Sequence, residues 1–384
     1  MRTRRVLRTA AKLLGAALAV MLAAACGSSA SSSTPTNTST PTTSGSPIAG
    51  SNVSASVIAQ AKAEGANIDL SWDTLNTGPE IAAWTVLFKQ MYGFPAHVNL
   101  AQSPSQPANE ARLAQEFQAG QKTTQDVFLG TEVTFLELLY SSGGILQKLN
   151  PAELPALQGK IQANDTSLPI ESRITSIEYN TNEVKNPPQT MQQALAIAKT
   201  GKYAIVSTPF AAGFAYLAAK QFLGPQATLA YVRTLGKYIK GTAECGSIFP
   251  RVASGEFNLY ILDCGITEAI FAQQQHLPVG YVIPRDMPMI GYYYIGVPKN
   301  ATHPAMAQLW MNMMATRQAQ DIMYRLDLAD CHIFPGSHTA ALVAKLEQQD
   351  HLTFTVASIA WAQQNPQAYN RQLHQEIDAA INGH

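Results

Sequence analysis

Charge is scarce in this chain. Of its 384 residues 14% are Asp, Glu, Lys or Arg, against 46% hydrophobic, the reverse of the balance that keeps a whole chain disordered. Cysteine is scarce too, with four residues, and no pair stands in the C-x-x-C spacing of a zinc or redox site. The sequence contains no G-x-S-x-G, no H-E-x-x-H, no S-x-x-K with its partner motifs and no Walker loop. No catalytic residue set is therefore expected. After Leu22 no apolar run approaches the 18 residues of a membrane span. From Gly27 to Ser56 the chain has neither charge nor aromatic residue, and a Ser, Thr, Gly and Pro stretch of that kind cannot bury a core.

What is present begins with an export address. Arg2, Arg4, Arg5, Arg8 and Lys12 precede the apolar run Leu13 to Leu22, which is too short to span a bilayer. The following Ala23-Ala24-Ala25-Cys26-Gly27 resembles the lipobox of bacterial lipoproteins. That resemblance implies a signal peptide over 1–25 and a lipid on Cys26, the first mature residue. Ordinary signal-peptidase cleavage, leaving Cys26 as a free thiol, is the alternative. Thr3-Arg4-Arg5-Val6-Leu7-Arg8 is also similar to a twin-arginine signal. Residues 26–56 then read as a disordered tether with a reach on the order of 30 Å.

Removing the five basic residues of the leader from 26 leaves 21 Lys and Arg against 26 Asp and Glu, a net of about −5 that argues against a nucleic-acid partner. An oxidising exterior favours a structural disulfide. Cys245 and Cys264 are the expected pair because they flank one hairpin-sized segment, with Cys331 as the alternative partner. The cluster Cys331-His332 with His338 reads as a loop with solvated histidines rather than as a metal site.

The body alternates strand-like and helix-like segments. Asn67 to Trp72, Ala96 to Leu100, Asp126 to Leu129, Tyr203 to Val206, Phe257 to Leu262, Tyr281 to Ile283 and Ile290 to Val297 read as strands. The spacing of Ile81, Trp84, Phe88 and Met91 after Gly78-Pro79 predicts a helix, and so do Asn109 to Ala119 and Met191 to Lys199. From Pro304 onward the chain reads as nearly all helical. This succession predicts an α/β fold covered on both faces.

Several blocks resemble bacterial family 1 extracellular solute-binding proteins. They are Lys62-Ala63-Glu64-Gly65, Tyr92-Gly93-Phe94, Arg112 to Gly120 leading to Asp126-Val127, Ile177 to Thr181, Ser254-Gly255-Glu256, and Val297 to Ala307. The resemblance implies a two-lobed, type II periplasmic-binding-protein-like α/β fold with hinge crossings and a helical C-terminus. Its lobes would be 57–173 plus 291–335 and 174–290 plus 336–384, with the crossings at Ile174 to Tyr179 and Met289 to Val297. It also implies a monomer that holds a small-molecule solute between its lobes and delivers it to an ABC permease, with no enzymatic activity and no cofactor. An exported hydrolase, or a ligand sensor or adhesin on the same fold, is the alternative.

In open α/β sheets ligands sit beyond the carboxyl ends of strands. Trp72, Asp73, Ser103, Thr131, Glu132, Thr208, Asp263 and Met287 lie in such loops, and Tyr179 at the first crossing. Asp73, Glu132 and Asp263 would put carboxylates beside the aromatic faces of Trp72 and Tyr179, a set that suits an organic cation such as a polyamine. Ferric-binding relatives carry a tyrosine pair where this sequence has Gly265-Ile266, which lacks the anionic donors ferric iron needs. Ferric iron and an anionic organic solute remain the alternative ligands. Tyr292-Tyr293-Tyr294 fall in a strand, where alternate side chains face opposite ways, so they read as structural.

Overall fold

The computed structural model describes residues 48–383 apart from 73, 75, 76, 101–105, 142 and 263. Cys26 and the leader lie outside the described residues, as do Asp73, Ser103 and Asp263. In chain order the first elements are α1 (Ala55–Ala63), β1 (Asn67–Leu70), α2 (Thr77–Tyr92), β2 (His97–Leu100), α3 (Gln106–Gln118), β3 (Phe128–Thr131) and α4 (Glu132–Leu136). Next come β4 (Ser167–Ile174), β5 (Ile177–Asn180), α5 (Met191–Lys199), β6 (Ile205–Ser207), α6 (Ala212–Ala215), α7 (Pro225–Gly236) and β7 (Ile239–Thr242). They are followed by α8 (Phe249–Ala253), β8 (Leu259–Ile261), α9 (Thr267–Gln274), β9 (Val279–Val282) and β10 (Met289–Gly296). The last are α10 (Pro304–Met314), α11 (Arg317–Asp327), α12 (His338–Asp350), β11 (Thr355–Ala357), α13 (Ile359–Gln364) and α14 (Arg371–Asn382).

Packed residues occur earlier in the chain than composition alone indicates. Val53, Val57 and Ala61 are buried one helical turn apart, the Ser54 N–H donates to the Glu153 carbonyl at 3.1 Å, and the Asn312 amide donates to the Gly50 carbonyl at 2.8 Å. Residues 50–54 therefore pack on the body rather than belonging to the expected tether, because Val53 finds an apolar surface to cover.

Two main sheets carry separate cores. In one, β10 is central, antiparallel to β3 and β4 and parallel to β11. In the other the order is β7-β6-β8-β5-β9. The first core is filled by α2, whose Trp84, Leu87, Phe88 and Met91 share one helix face. Trp84 meets Trp72 edge-on at 5.1 Å and Trp310 at 6.4 Å. Ile177, Ile205, Leu259, Ile261, Met287 and Met289 build the second core, with Leu373, Ile377 and Ile381 of α14 against them. The C-terminal region is not all helical: β11 lies extended beside Met289–Gly291 of β10, and those ladder hydrogen bonds outweigh its weak helical pattern.

The sheets are joined where β4 runs into β5 through Thr175 and Ser176, and where β9 leads to β10. At this point the Thr175 N–H donates to the Met289 carbonyl at 3.2 Å. β4 carries a register shift opposite Tyr293 and Tyr294. Pro169, which cannot donate a ladder hydrogen bond, sits at that irregularity.

Cys245 and Cys264 are joined as a disulfide, their Cα atoms 6.0 Å apart, and Cys331 is a buried free thiol. For a sequence separation of 19, loop-closure entropy is worth about 3 kcal/mol. The Cys245→Ser/Cys264→Ser double variant is expected to lose about that much unfolding free energy in urea titration under non-reducing conditions, and an unchanged midpoint would contradict it.

Candidate functional site

The blocks that carry the family resemblance converge first on a structural feature. Glu64 accepts the Ala305 and Met306 N–H groups at 3.0 and 2.9 Å, and Asp126 accepts the His303 N–H at 2.8 Å. Two carboxylates thus satisfy the free donors at the start of α10, where the helix dipole favours negative charge. Asp126 also meets the His303 Nδ1 at 2.7 Å and accepts the Asp69 N–H at 2.9 Å. Among the described residues Asp69, Asp126 and His303 form the one group of three with ligand atoms close enough for a metal ion. Backbone donors already occupy both Asp126 oxygens, so its role is to fix the helix end.

The chemistry-bearing face lies on the paired strands β4 and β10. Opposite residues share a face, and the register sets Glu171 against Tyr293 and Arg173 against Gly291. The alternate residues point the other way: Tyr292 and Tyr294 are buried in the first core, their rings 5.5 Å apart edge-on. Ser172 meets the His332 Nδ1 at 2.7 Å, and the His332 ring stacks on Tyr292 at 5.4 Å. Cys331 beside them is wholly buried, and burial pushes its thiol up to about 12, so it is unreactive at neutral pH.

Glu132 begins α4 directly after β3 and is 1% exposed. Its Oε1 accepts the Tyr216 hydroxyl at 2.6 Å and the Tyr369 hydroxyl at 3.4 Å. Oε2 makes no satisfactory hydrogen bond, although the backbone N–H groups of Glu132 and Tyr292 are near enough to favour its charged form. Burial outweighs all of these and raises the carboxyl to about 7. Trp361 packs edge-on against both Tyr216 and Tyr369 at 6.1 Å. All three rings border the second core, whereas Phe135, on the same short helix as Glu132, belongs to the first. A β-carbon on Gly291 would lie 2.9 Å from the Tyr216 hydroxyl and 3.8 Å from Glu132 Oε2, so glycine at that position lets the carboxylate and the ring reach the strand. The result is a buried acid from one core boxed by aromatic rings of the other.

Two further acids approach the same face. Burial raises Glu171 to about 7 against the opposing effect of Arg173. Glu80, wholly buried, is raised to about 8, first by burial and then by Asp327.

Of the described residues expected at the site, Glu132 alone lies at this centre. Thr131 ends β3 opposite Tyr293. Trp72 is 8% exposed and belongs to the first core against Trp84. Tyr179 lies three residues past the crossing, its ring covering Gly280 of β9. Thr208 is buried and turned to the Phe210 carbonyl at 3.4 Å, while Met287 is enclosed in the second core. Sequence reading missed Arg173, Tyr216, Trp361 and Tyr369. Tyr216 and Trp361 lie in helical segments with no motif to mark them, and both read as core residues.

The family model of bacterial extracellular solute-binding proteins matches residues 83–353. The chain belongs to that family, which is one of binding proteins rather than enzymes. No curated protein matches it significantly. Among solved structures, the substrate-binding protein of an ABC transporter from Agrobacterium tumefaciens is similar at 17% identity, with a TM-score of 0.66 over 82% of this chain and 94% of that one. A Listeria monocytogenes protein assigned to spermidine/putrescine ABC transport is 15% identical, with a TM-score of 0.58 over 82% of this chain and 97% of that one. Iron-bound HitA from Pseudomonas aeruginosa is 15% identical, with a TM-score of 0.56 over 68% and 85%. At such identities the likeness is one of fold.

Proposed function

We propose that this protein is the solute-binding component of an ABC importer, tethered to the outer face of the cell membrane through a lipid on Cys26. The cargo is a small organic solute with a cationic amine. The observation that carries this reading is Glu132, a buried carboxylate from one core held by the Tyr216 and Tyr369 hydroxyls of the other, with Trp361 packed against both rings. A carboxylate with aromatic faces around it attracts an ammonium group by ion pairing and cation–π contact. The two cores act as lobes that part and close about the β4–β5 and β9–β10 connections. Opening separates the rings from Glu132 and closing assembles them around the amine. The polyamine assignment of the Listeria relative agrees with this reading. Ferric iron is disfavoured, because a β-carbon on Gly265 would lie only 3.7 Å from the Arg173 Nε and a fixed cation repels a metal ion.

A thermal-shift panel of polyamines, monoamines, sugars, phosphonates and ferric salts tests the proposal. An amine at 100-fold over its Kd should add about 2.7 kcal/mol of stability and raise Tm by several degrees. Stabilisation by sugars, phosphonates or iron but by no amine would overturn it.

A further inference from the structure

We infer that the solute carries a carboxylate as well as an amine, and that Arg173 receives the carboxylate while Glu132 holds the amine. This rests on the amine reading above.

Arg173 is the one partly exposed residue of β4. Its guanidinium carbon lies 4.3 Å over the Tyr293 ring, a stack that holds the planar group in place. Among the described residues the side chain makes no hydrogen bond and no ion pair, although it carries five N–H donors. Glu171 and Glu268 act on it through space, yet neither closes an ion pair with it. Glu268 instead accepts the Gly246 N–H at 2.6 Å, and Glu171 is partly protonated near neutral pH for the burial reason given above.

Two glycines border Arg173. Gly265, at a φ of +137°, presents no side chain, and a β-carbon there would lie 3.7 Å from the arginine Nε. Gly291, paired with Arg173 across the strands, likewise has none. The same Gly291 lies beside Glu132 Oε2 and the Tyr216 hydroxyl, and Arg173 is close enough to stabilise the charged form of Tyr216. A cation and an anion therefore approach the same glycine of β10. A fixed, part-desolvated guanidinium with unused donors best fits a planar bidentate acceptor, which is a carboxylate. A phosphate dianion fits less well, because Glu268 would repel its second charge. A zwitterion of amino-acid type satisfies both groups at once, whereas a diamine would place its second ammonium against Arg173.

Calorimetry on the purified protein tests this with four probe sets: ω-amino acids of four to six carbons with the common α-amino acids, the amines matching each without its carboxylate, the plain monocarboxylates, and phosphoethanolamine. At least one amino acid should bind about 10-fold or more tightly than its decarboxylated amine. Arg173→Gln should weaken that amino acid by about 30-fold while leaving the amine within about 3-fold. Arg173→Lys, which keeps the charge but loses the fork, should fall between them and serves as the reporter if the glutamine variant does not fold. Equal binding of amines and amino acids, or less than about 3-fold loss in both variants, overturns the role of Arg173 and leaves the amine reading standing. Tighter binding of phosphoethanolamine overturns the carboxylate in favour of phosphate. Arg173-dependent binding of monocarboxylates with no gain from an amine overturns the zwitterion together with the amine reading, and so does binding of no probe.

Discussion

Replacing Glu132 by glutamine is expected to weaken capture of the amine by 30-fold or more while making the ligand-free protein more stable at pH 8. Losing one partner of a desolvated charge pair costs about 2–5 kcal/mol of binding, which sets the first effect. The second follows from burial, which raises the carboxyl from 4.5 to about 7. A carboxyl raised in this way favours the folded protein while protonated. Its contribution is complete below pH 4.5 and is lost as pH rises through 7, at up to about 1.4 kcal/mol per pH unit. Glutamine does not titrate, and its amide oxygen still accepts the Tyr216 and Tyr369 hydroxyls. The variant should therefore match the parent near pH 5 and exceed it at pH 8 in urea unfolding. In the parent, affinity for the amine should rise as pH passes 7, because the ligand pairs with the charged carboxylate. A variant less stable at both pH values, with unchanged affinity, would show that Glu132 is purely structural.

The second large effect concerns Trp84. Truncation to alanine is expected to cost about 3–5 kcal/mol. The side chain has no exposure, stands between Trp72 and Trp310, and donates its indole N–H to the Ala319 carbonyl at 3.1 Å. Alanine leaves a cavity and removes the second hydrogen bond of the Ala319 carbonyl. Val86, on the same helix but 58% exposed, is the control, and Val86→Ala should stay within about 0.5 kcal/mol. Comparable midpoints for the two variants in denaturant titration would contradict this account of the first core.

Much of the fold could be read from local pattern. The α2 stripe was visible because Trp84, Phe88 and Met91 recur at helical spacing. The three consecutive tyrosines of β10 could be assigned to opposite faces because a strand alternates its side chains, and Tyr292 and Tyr294 do share the buried face while Tyr293 lies under Arg173. Other elements gave no such signal. β11 has three residues, too few for any periodicity, and its extended form depends on the strand beside it.

The site was less legible. Glu132 stood out as a carboxylate just past a strand, but its partners are 84 and 237 residues away, beyond any spacing rule. Trp72 and Tyr179 carry the same aromatic faces that the reading sought, yet one packs into the first core and the other lies flat on a neighbouring strand. An aromatic ring that lines a ligand and one that fills a core look identical until the surrounding elements are placed.

The sequence by itself determined the alternation of strands and helices and the family to which the chain belongs, because hydrophobic period and helix-capping acids act over a few residues. Tertiary structure alone decided which acid meets the aromatic cluster, which arginine keeps its donors unused, and which glycine lies between them. Those properties depend on burial and on contacts between distant segments, and neither exists until the two cores have formed.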